Sequence, residues 1–137
     1  MDDLRLPFHR SLDSARIRHA VRATLPDDVD ADLADDVLLV VSELVQNVVH
    51  HTAGGGELRL SHRDGAIAIE VADVSTDPPH IHGPDARRVR GRGLMIVAAV
   101  SRAWGTRARD QGKVVWAEID FPGPPPAAAH GRVATAP

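Results

Sequence analysis

The chain has 137 residues, 43% of them hydrophobic, and a formal net charge of −3 at pH 7. This length allows one domain with its own core and is too short for two. The absence of cysteine excludes a disulfide scaffold, a thiolate metal site and a cysteine nucleophile. The mildly acidic balance lacks the clustered basic charge of nucleic-acid-binding proteins. The polar N-terminus and the absence of a long apolar run lead us to expect a soluble, cytoplasmic protein that does not enter a membrane.

The N-terminal part predicts a short strand followed by a helix. Residues 5–12 favour a strand that is interrupted by Pro7. Asp13 or Ser14 can cap a helix that runs to about Leu25, before the proline that follows.

A second, longer helix is predicted from Asp30 to about Thr52. Acidic side chains at its start suit the positive end of the helix dipole. Its apolar residues recur at spacings of three and four and so form one continuous stripe: Leu33, Val37, Val40, Leu44 and Val48. The predicted helix ends at the glycine run 54–56.

The hydrophobic period then changes to two, which is typical of β-strands. Apolar residues alternate on both sides of Asp64-Gly65, a dipeptide that favours a hairpin turn: Leu58, Leu60, Ile67, Ile69 and Val71. We therefore expect a β-hairpin with one buried face.

The remaining sequence predicts an irregular segment, a short helix and a second hairpin. Residues 74–92 carry prolines, glycines and arginines without a regular period. A helix is predicted over 94–101, and strands over 103–109 and 113–121 are joined by the turn at 110–112.

The order of elements predicts the α/β (α+β) class. Two helices come together and the strands are joined mostly by hairpins, so we expect a two-layer sandwich of a mixed, mostly antiparallel sheet with helices on one face. Residues 1–121 form one domain in this interpretation. Residues 122–137 are rich in proline and alanine and predict a disordered tail.

Three polar side chains on the long helix are candidates for chemistry. Glu43, Asn47 and His51 are four residues apart and lie on one stripe of the helix. An amide oxygen is a ligand that Mg²⁺ accepts, and a carboxylate can act as a base. The same spacing is also typical of a solvated helix face, so the stripe alone leaves both interpretations open.

Two further segments are candidates for nucleotide contacts. Asp73 lies where the chain leaves an apolar strand, and its carboxylate could either accept a hydrogen bond from an adenine amino group or open a turn. The sequence Gly91-Arg92-Gly93-Leu94 opens the predicted third helix, where glycines let backbone amides approach phosphate oxygens.

Taken in order, these segments resemble the Bergerat-fold (GHKL) ATPases. The resemblance rests on SELVQNVVHH at 42–51, VADVS at 71–75, GRGLMIV at 91–97 and WG followed by GKVVWAEI near the end. Within that superfamily the chain is most similar to the anti-sigma-factor serine/threonine kinases of actinobacterial type. A histidine kinase would need a phosphoacceptor helical hairpin upstream, and gyrase-type enzymes are much larger.

The resemblance implies a role for each matching position. It makes Asn47 the Mg²⁺ ligand, Glu43 the base that activates the attacking hydroxyl, and Asp73 the adenine-binding carboxylate. It makes residues 76–90 a lid over ATP. The other positions that it places around the nucleotide are His51, Ser75, Gly91, Arg92, Gly93 and Leu94.

The implied activity is ATP-dependent phosphorylation of a serine or threonine on an anti-anti-sigma factor. The implied cofactors are ATP and Mg²⁺, and the implied partners are that phosphoacceptor, a sigma factor and a second copy of the chain. The family pattern has no direct contact with nucleic acid. Regulation of sigma-factor-dependent transcription would follow.

The sequence departs from the family pattern at two positions that bear on activity. The motif at Asp73 has Ser75 where the wider superfamily has glycine, which favours the anti-sigma branch. Val114 stands where threonine is common, and loss of that hydroxyl is expected to remove a water-mediated contact to adenine. Val114 and the altered motif after Asp73 together motivate an alternative, a module of the same fold that sequesters a partner without catalysis. A slow stand-alone ATPase is a further alternative.

Overall fold

The fold is described by a computed structural model over residues 3–9, 14–51, 55–73, 93–110 and 112–121. Two hairpins and an N-terminal strand form a sheet, and helices form a second layer. The elements in chain order are β1 (Leu4–Phe8), α1 (Ser14–Thr24), α2 (Ala31–His51), β2 (Gly56–Arg63), β3 (Ala66–Asp73), α3 (residues 93–100), β4 (Ala103–Ala108) and β5 (Lys113–Asp120).

The sheet has five strands in the order β1-β2-β3-β5-β4, and all four pairings are antiparallel. Helix α2 contacts β2, β3 and β5, while α1 packs against α2 and β1. This confirms the predicted two-layer sandwich with helices on one face. The sequence predicts a mixed, mostly antiparallel sheet. In the structure, every pair among the described strands is antiparallel.

Helix α2 is the central element of the helical layer. Asp30 caps its start, because the Asp30 Oδ1 accepts a hydrogen bond of 2.8 Å from the backbone N–H of Leu33. The predicted apolar stripe is the buried face, and its fully buried members are Val37, Val40, Leu44 and Val48. Burial of this stripe fixes the rotation of the helix, which sets the positions of the polar residues at its border.

The sheet presents one face to the helices. Leu58 and Leu60 of β2 and Ile67, Ile69 and Val71 of β3 are fully buried there. Residues that alternate with them, such as Arg59 and Glu70, lie on the opposite face, called here the open face. The β2–β3 hairpin turns at Asp64 and Gly65, whose φ angles of 54° and 72° are those of a type I′ turn. This confirms the predicted hairpin.

Strand β1 corrects the expectation of an interruption at Pro7. The strand runs through Pro7, which lies opposite Glu57, and ends at Phe8. An edge strand tolerates proline, because the missing N–H can be on the side that has no neighbouring strand. The predicted extension over residues 10–12 lies outside the described residues.

Two predicted segments also lie outside the described residues, the lid at 76–90 and the tail at 122–137. Within the part of the chain that the structure describes, none of the helices combines the length and the apolar character needed to cross a membrane.

Candidate functional site

Helix α2 carries two of the candidate residues at the border of its buried face. Glu43 is half-buried, and Asn47, one turn further along, is buried, with 7% of its surface exposed. An amide with so little exposure is not part of a solvated helix face, which removes the alternative interpretation for Asn47. His51 is the last residue of α2, and its side chain lies outside the described residues.

The side-chain oxygen of Asn47 is buried and accepts no hydrogen bond from any of the described residues. Leaving a buried oxygen unsatisfied costs about 1–3 kcal/mol, so such an atom calls for an explanation. An amide oxygen is a hard ligand of the kind that Mg²⁺ binds. The Asn47 side-chain oxygen therefore fits the Mg²⁺ ion that the sequence motif implies.

The first described residue of α3 lies against the carboxylate of Glu43. A Cβ atom placed on Gly93 would be 2.6 Å from the Glu43 Oε1, closer than real Cβ contacts allow. The missing side chain at 93 is therefore what lets the start of α3 approach this carboxylate. The structure brings these two predicted site residues together, and it places Leu94, the next residue of α3, in a half-buried position.

Asp73 ends strand β3 on the face that carries Ile69 and Val71, so it is directed to the helical layer. It is 9% exposed, and it is one of two buried polar or charged residues in the described part of the chain, the other being Asn47. Such burial is unusual for aspartate and favours a binding role over a simple turn.

The turn between β4 and β5 lies against the backbone of Asp73. Gly112 has a φ of +90°, and a Cβ atom on it would be 2.7 Å from the Asp73 backbone oxygen and 3.3 Å from the Asp73 Cβ. The turn at 110–112 is predictable from the sequence, but this contact is not. The sequence signal for this contact is Gly112, just before β5. That it lies against Asp73 cannot be inferred without the order of the strands in the sheet.

The structure corrects the expectation about Val114. Val114 lies opposite Ala72, and side chains of β5 alternate, so Val114 is on the open face, away from the side chain of Asp73. A hydroxyl at 114 would therefore not reach a ligand held by Asp73. Continuing the same register by one residue puts Lys113, the only lysine of the chain, opposite Asp73.

Three other predicted positions, Ser75, Gly91 and Arg92, lie outside the described residues. The described site thus consists of Glu43 and Asn47 on α2, Asp73 at the end of β3 and the start of α3 at Gly93. It combines a carboxylate near a helix start, a buried amide oxygen with no hydrogen-bond partner in the described part of the chain, and a buried carboxylate on the sheet.

Comparison with known proteins agrees with this arrangement. The family described as the histidine kinase-like ATPase domain matches residues 10–119. That range covers every residue of the described site. No curated protein matches the chain.

Proposed function

Because the chain belongs to the histidine kinase-like ATPase family, whose domain binds ATP, we propose that it is a Mg²⁺-dependent protein serine/threonine kinase. The proposal assigns adenine to Asp73 and the phosphate end of ATP to the region between Glu43, Asn47 and the start of α3. Phosphoryl transfer depends mainly on positioning and on neutralisation of charge, which is what these residues can supply.

Each described residue has one task in this proposal. The Asp73 carboxylate accepts a hydrogen bond from the adenine amino group, and Gly112 fixes the position of the backbone that carries it. The Asn47 Oδ1 would hold Mg²⁺, which would offset the charge of the phosphate groups. The Glu43 carboxylate accepts the proton of the acceptor hydroxyl.

The proposed reaction transfers the γ-phosphoryl group of ATP to the acceptor hydroxyl. A bond forms between the acceptor hydroxyl oxygen and the γ-phosphorus, and the bond from that phosphorus to the β,γ-bridging oxygen breaks. The proton of the hydroxyl passes to Glu43, and ADP leaves with the bridging oxygen. Glu43 then returns the proton to solvent.

The observation that carries the proposal is the pairing of an orphaned buried oxygen with a carboxylate one turn away. A module that only sequesters a partner needs neither a buried Asn47 Oδ1 that accepts no hydrogen bond from the described residues nor the Glu43 carboxylate beside Gly93. Of the two departures that motivated the sequestering alternative, Val114 lies on the open face and gives it no support, while the altered motif after Asp73 lies outside the described residues.

The acceptor and the partners are the finer part of the proposal. The order of the motifs SELVQN, VADVS, GRGL and GKVVW supports an anti-anti-sigma factor as the phosphoacceptor, with a sigma factor bound by the same domain. The same resemblance supports a homodimer as the working unit. Regulation of transcription would then depend on which partner is phosphorylated.

A phosphotransfer assay with radiolabelled ATP and a panel of anti-anti-sigma proteins tests the activity. We expect label on a serine or threonine of at least one protein, and Glu43→Gln should lower the rate by 10²-fold or more while ATP still binds. Glu57→Gln, a matched substitution on β2, should leave the rate unchanged. Transfer by Glu43→Gln at the unmodified rate contradicts the proposal, and phosphate release without labelling of a protein indicates a slow ATPase instead.

A further inference from the structure

The open face of the sheet carries three arginines that meet at one carboxylate. Arg107 Nη2 lies 3.1 Å from the Glu70 Oε2, Arg63 Nη2 lies 3.7 Å from the same oxygen, and Arg59 Nη1 lies 3.9 Å from the Oε1. The Glu70 side chain is 17% exposed, while those of the arginines are 46–60% exposed. One largely buried carboxylate is thus shared by three accessible guanidinium groups.

The strand order produces this convergence. Arg59, Ser61 and Arg63 alternate along β2 and so point to the same face of the sheet. Glu70 lies opposite Arg59 on β3. Arg107 comes from β4 and reaches Glu70 across the intervening strand β5.

The absence of a side chain at Gly105 lets the Trp116 indole lie close to the sheet, next to the arginine cluster. Gly105 of β4 lies opposite Trp116 of β5, and a Cβ on Gly105 would be 3.1 Å from the indole ring. The indole therefore lies over the bare backbone of β4. Trp116 lines a second hollow on the open face together with Arg63, Glu70 and Arg107.

The arginines line a groove of about 620 Å³. Pockets for small molecules occupy roughly 300–1,000 Å³, so the groove can hold a ligand of that class. Ser61 adds a hydroxyl group to its wall, and Asp3 lies at its margin. Arg5 lies opposite Arg59 on β1 and adds another positive charge to this face.

The charges around Glu70 do not cancel. Three guanidinium groups surround one carboxylate, which leaves an excess of two positive charges at the cluster. A phosphate monoester carries a charge of about −1.5 to −2 at pH 7, and guanidinium groups bind phosphate oxygens through paired hydrogen bonds. A phosphate group matches both the charge and the donors of this groove.

We propose that the groove formed by Arg59, Arg63 and Arg107 on the open face binds a small molecule that carries a phosphate or polyphosphate group. This site is separate from the proposed nucleotide pocket, because Asp73 is directed to the helical layer on the other side of the sheet. The inference does not depend on the proposed kinase activity. Its failure would leave that proposal untouched.

Isothermal titration calorimetry with inorganic tripolyphosphate, without Mg²⁺, tests the site on the full chain. We expect saturable binding that Arg63→Gln and Arg107→Gln each weaken about tenfold, the effect of losing one charge-assisted hydrogen bond. Arg18→Gln, an exposed arginine on α1, is the matched control and should leave the affinity unchanged. Near-equal affinity in all these proteins, or no saturable binding, overturns the proposal.

Glu70→Gln provides a test of opposite sign. Removing the carboxylate while keeping its size frees the arginines from their internal partner, so tripolyphosphate should bind several-fold more tightly. Weaker binding in this variant overturns the proposal. So does preferential binding of poly-L-glutamate, which indicates an acidic protein segment, or self-association that Arg63→Gln abolishes, which indicates a second copy of the chain.

Discussion

Gly112 lies against the backbone of Asp73, with room for a hydrogen atom and not for a side chain. The turn between β4 and β5 therefore sets the position of the carboxylate that ends β3. These residues are 39 positions apart in the sequence, and only the placement of β5 beside β3 brings them together. We regard Gly112 as a positioning residue for the nucleotide pocket.

Gly112→Ala should weaken ATP binding about tenfold, because the new Cβ would displace the Asp73 backbone. The positive φ adds a stability loss of about 1–2 kcal/mol. Gly65→Ala is the matched control, since its φ of 72° brings a similar strain but no atom of the described residues lies within 4 Å of the added carbon. Calorimetric titration of both variants should show weaker binding only in the first. If both variants weaken ATP binding equally, the effect of Gly112→Ala comes from backbone strain and not from contact with Asp73.

Gly93→Ala should separate catalysis from nucleotide binding. The added Cβ would meet the end of the flexible Glu43 side chain, which can move at little cost to stability. We expect phosphotransfer to fall at least tenfold, because the base is displaced, and ATP affinity to fall by a smaller factor than the transfer rate. Gly105→Ala is the control for a closely packed glycine outside the site, because its Cβ would meet Trp116 on the open face. It should cost stability and leave the transfer rate of the folded protein unchanged.

Asn47→Leu should stabilise the nucleotide-free protein while removing the cation site. Replacing a buried amide whose oxygen has no partner among the described residues by an apolar group of similar size is expected to raise the free energy of unfolding by about 1–2 kcal/mol. The Mg²⁺ dependence of ATP binding should be lost. Urea denaturation checks the first effect, with Gln46→Leu at an exposed neighbouring position as the control. A loss of stability in Asn47→Leu would mean that its oxygen has a partner in the free protein.

Much of the fold follows from local sequence. The spacing of Val37, Val40, Leu44 and Val48 predicted α2 to within a residue at each end, and Asp64-Gly65 predicted the hairpin. The continuation of β1 through Pro7 was missed, because it depends on β1 being at the edge of the sheet.

The site was predictable as motifs and not as contacts. Glu43, Asn47 and Asp73 were found from their sequence context, but the approach of Gly93 to Glu43 depends on how α3 packs. The face on which Val114 lies depends on strand register, which no local pattern fixes. The meeting of three arginines at Glu70 likewise requires the order of strands.

The register of β5 gives a further prediction about adenine recognition. Val114→Thr should leave ATP affinity within about twofold, because its side chain is on the open face, and should cost about 1–2 kcal/mol for a buried hydroxyl. Lys113→Thr instead changes the side chain opposite Asp73, replacing an ammonium group by a hydroxyl, and should therefore change ATP affinity several-fold. Thermal denaturation and ATP titration of the two variants check this. Tighter binding in Val114→Thr alone would mean that the register at the end of β5 is different.

The most direct test of the nucleotide pocket is a calorimetric titration of ATP, with and without Mg²⁺, into the unmodified protein and into Asp73→Asn. The account predicts saturable binding that Mg²⁺ strengthens and that Asp73→Asn weakens at least tenfold, because the adenine amino group loses its charged acceptor. Absence of binding at millimolar ATP, or equal affinity in Asp73→Asn, would contradict it.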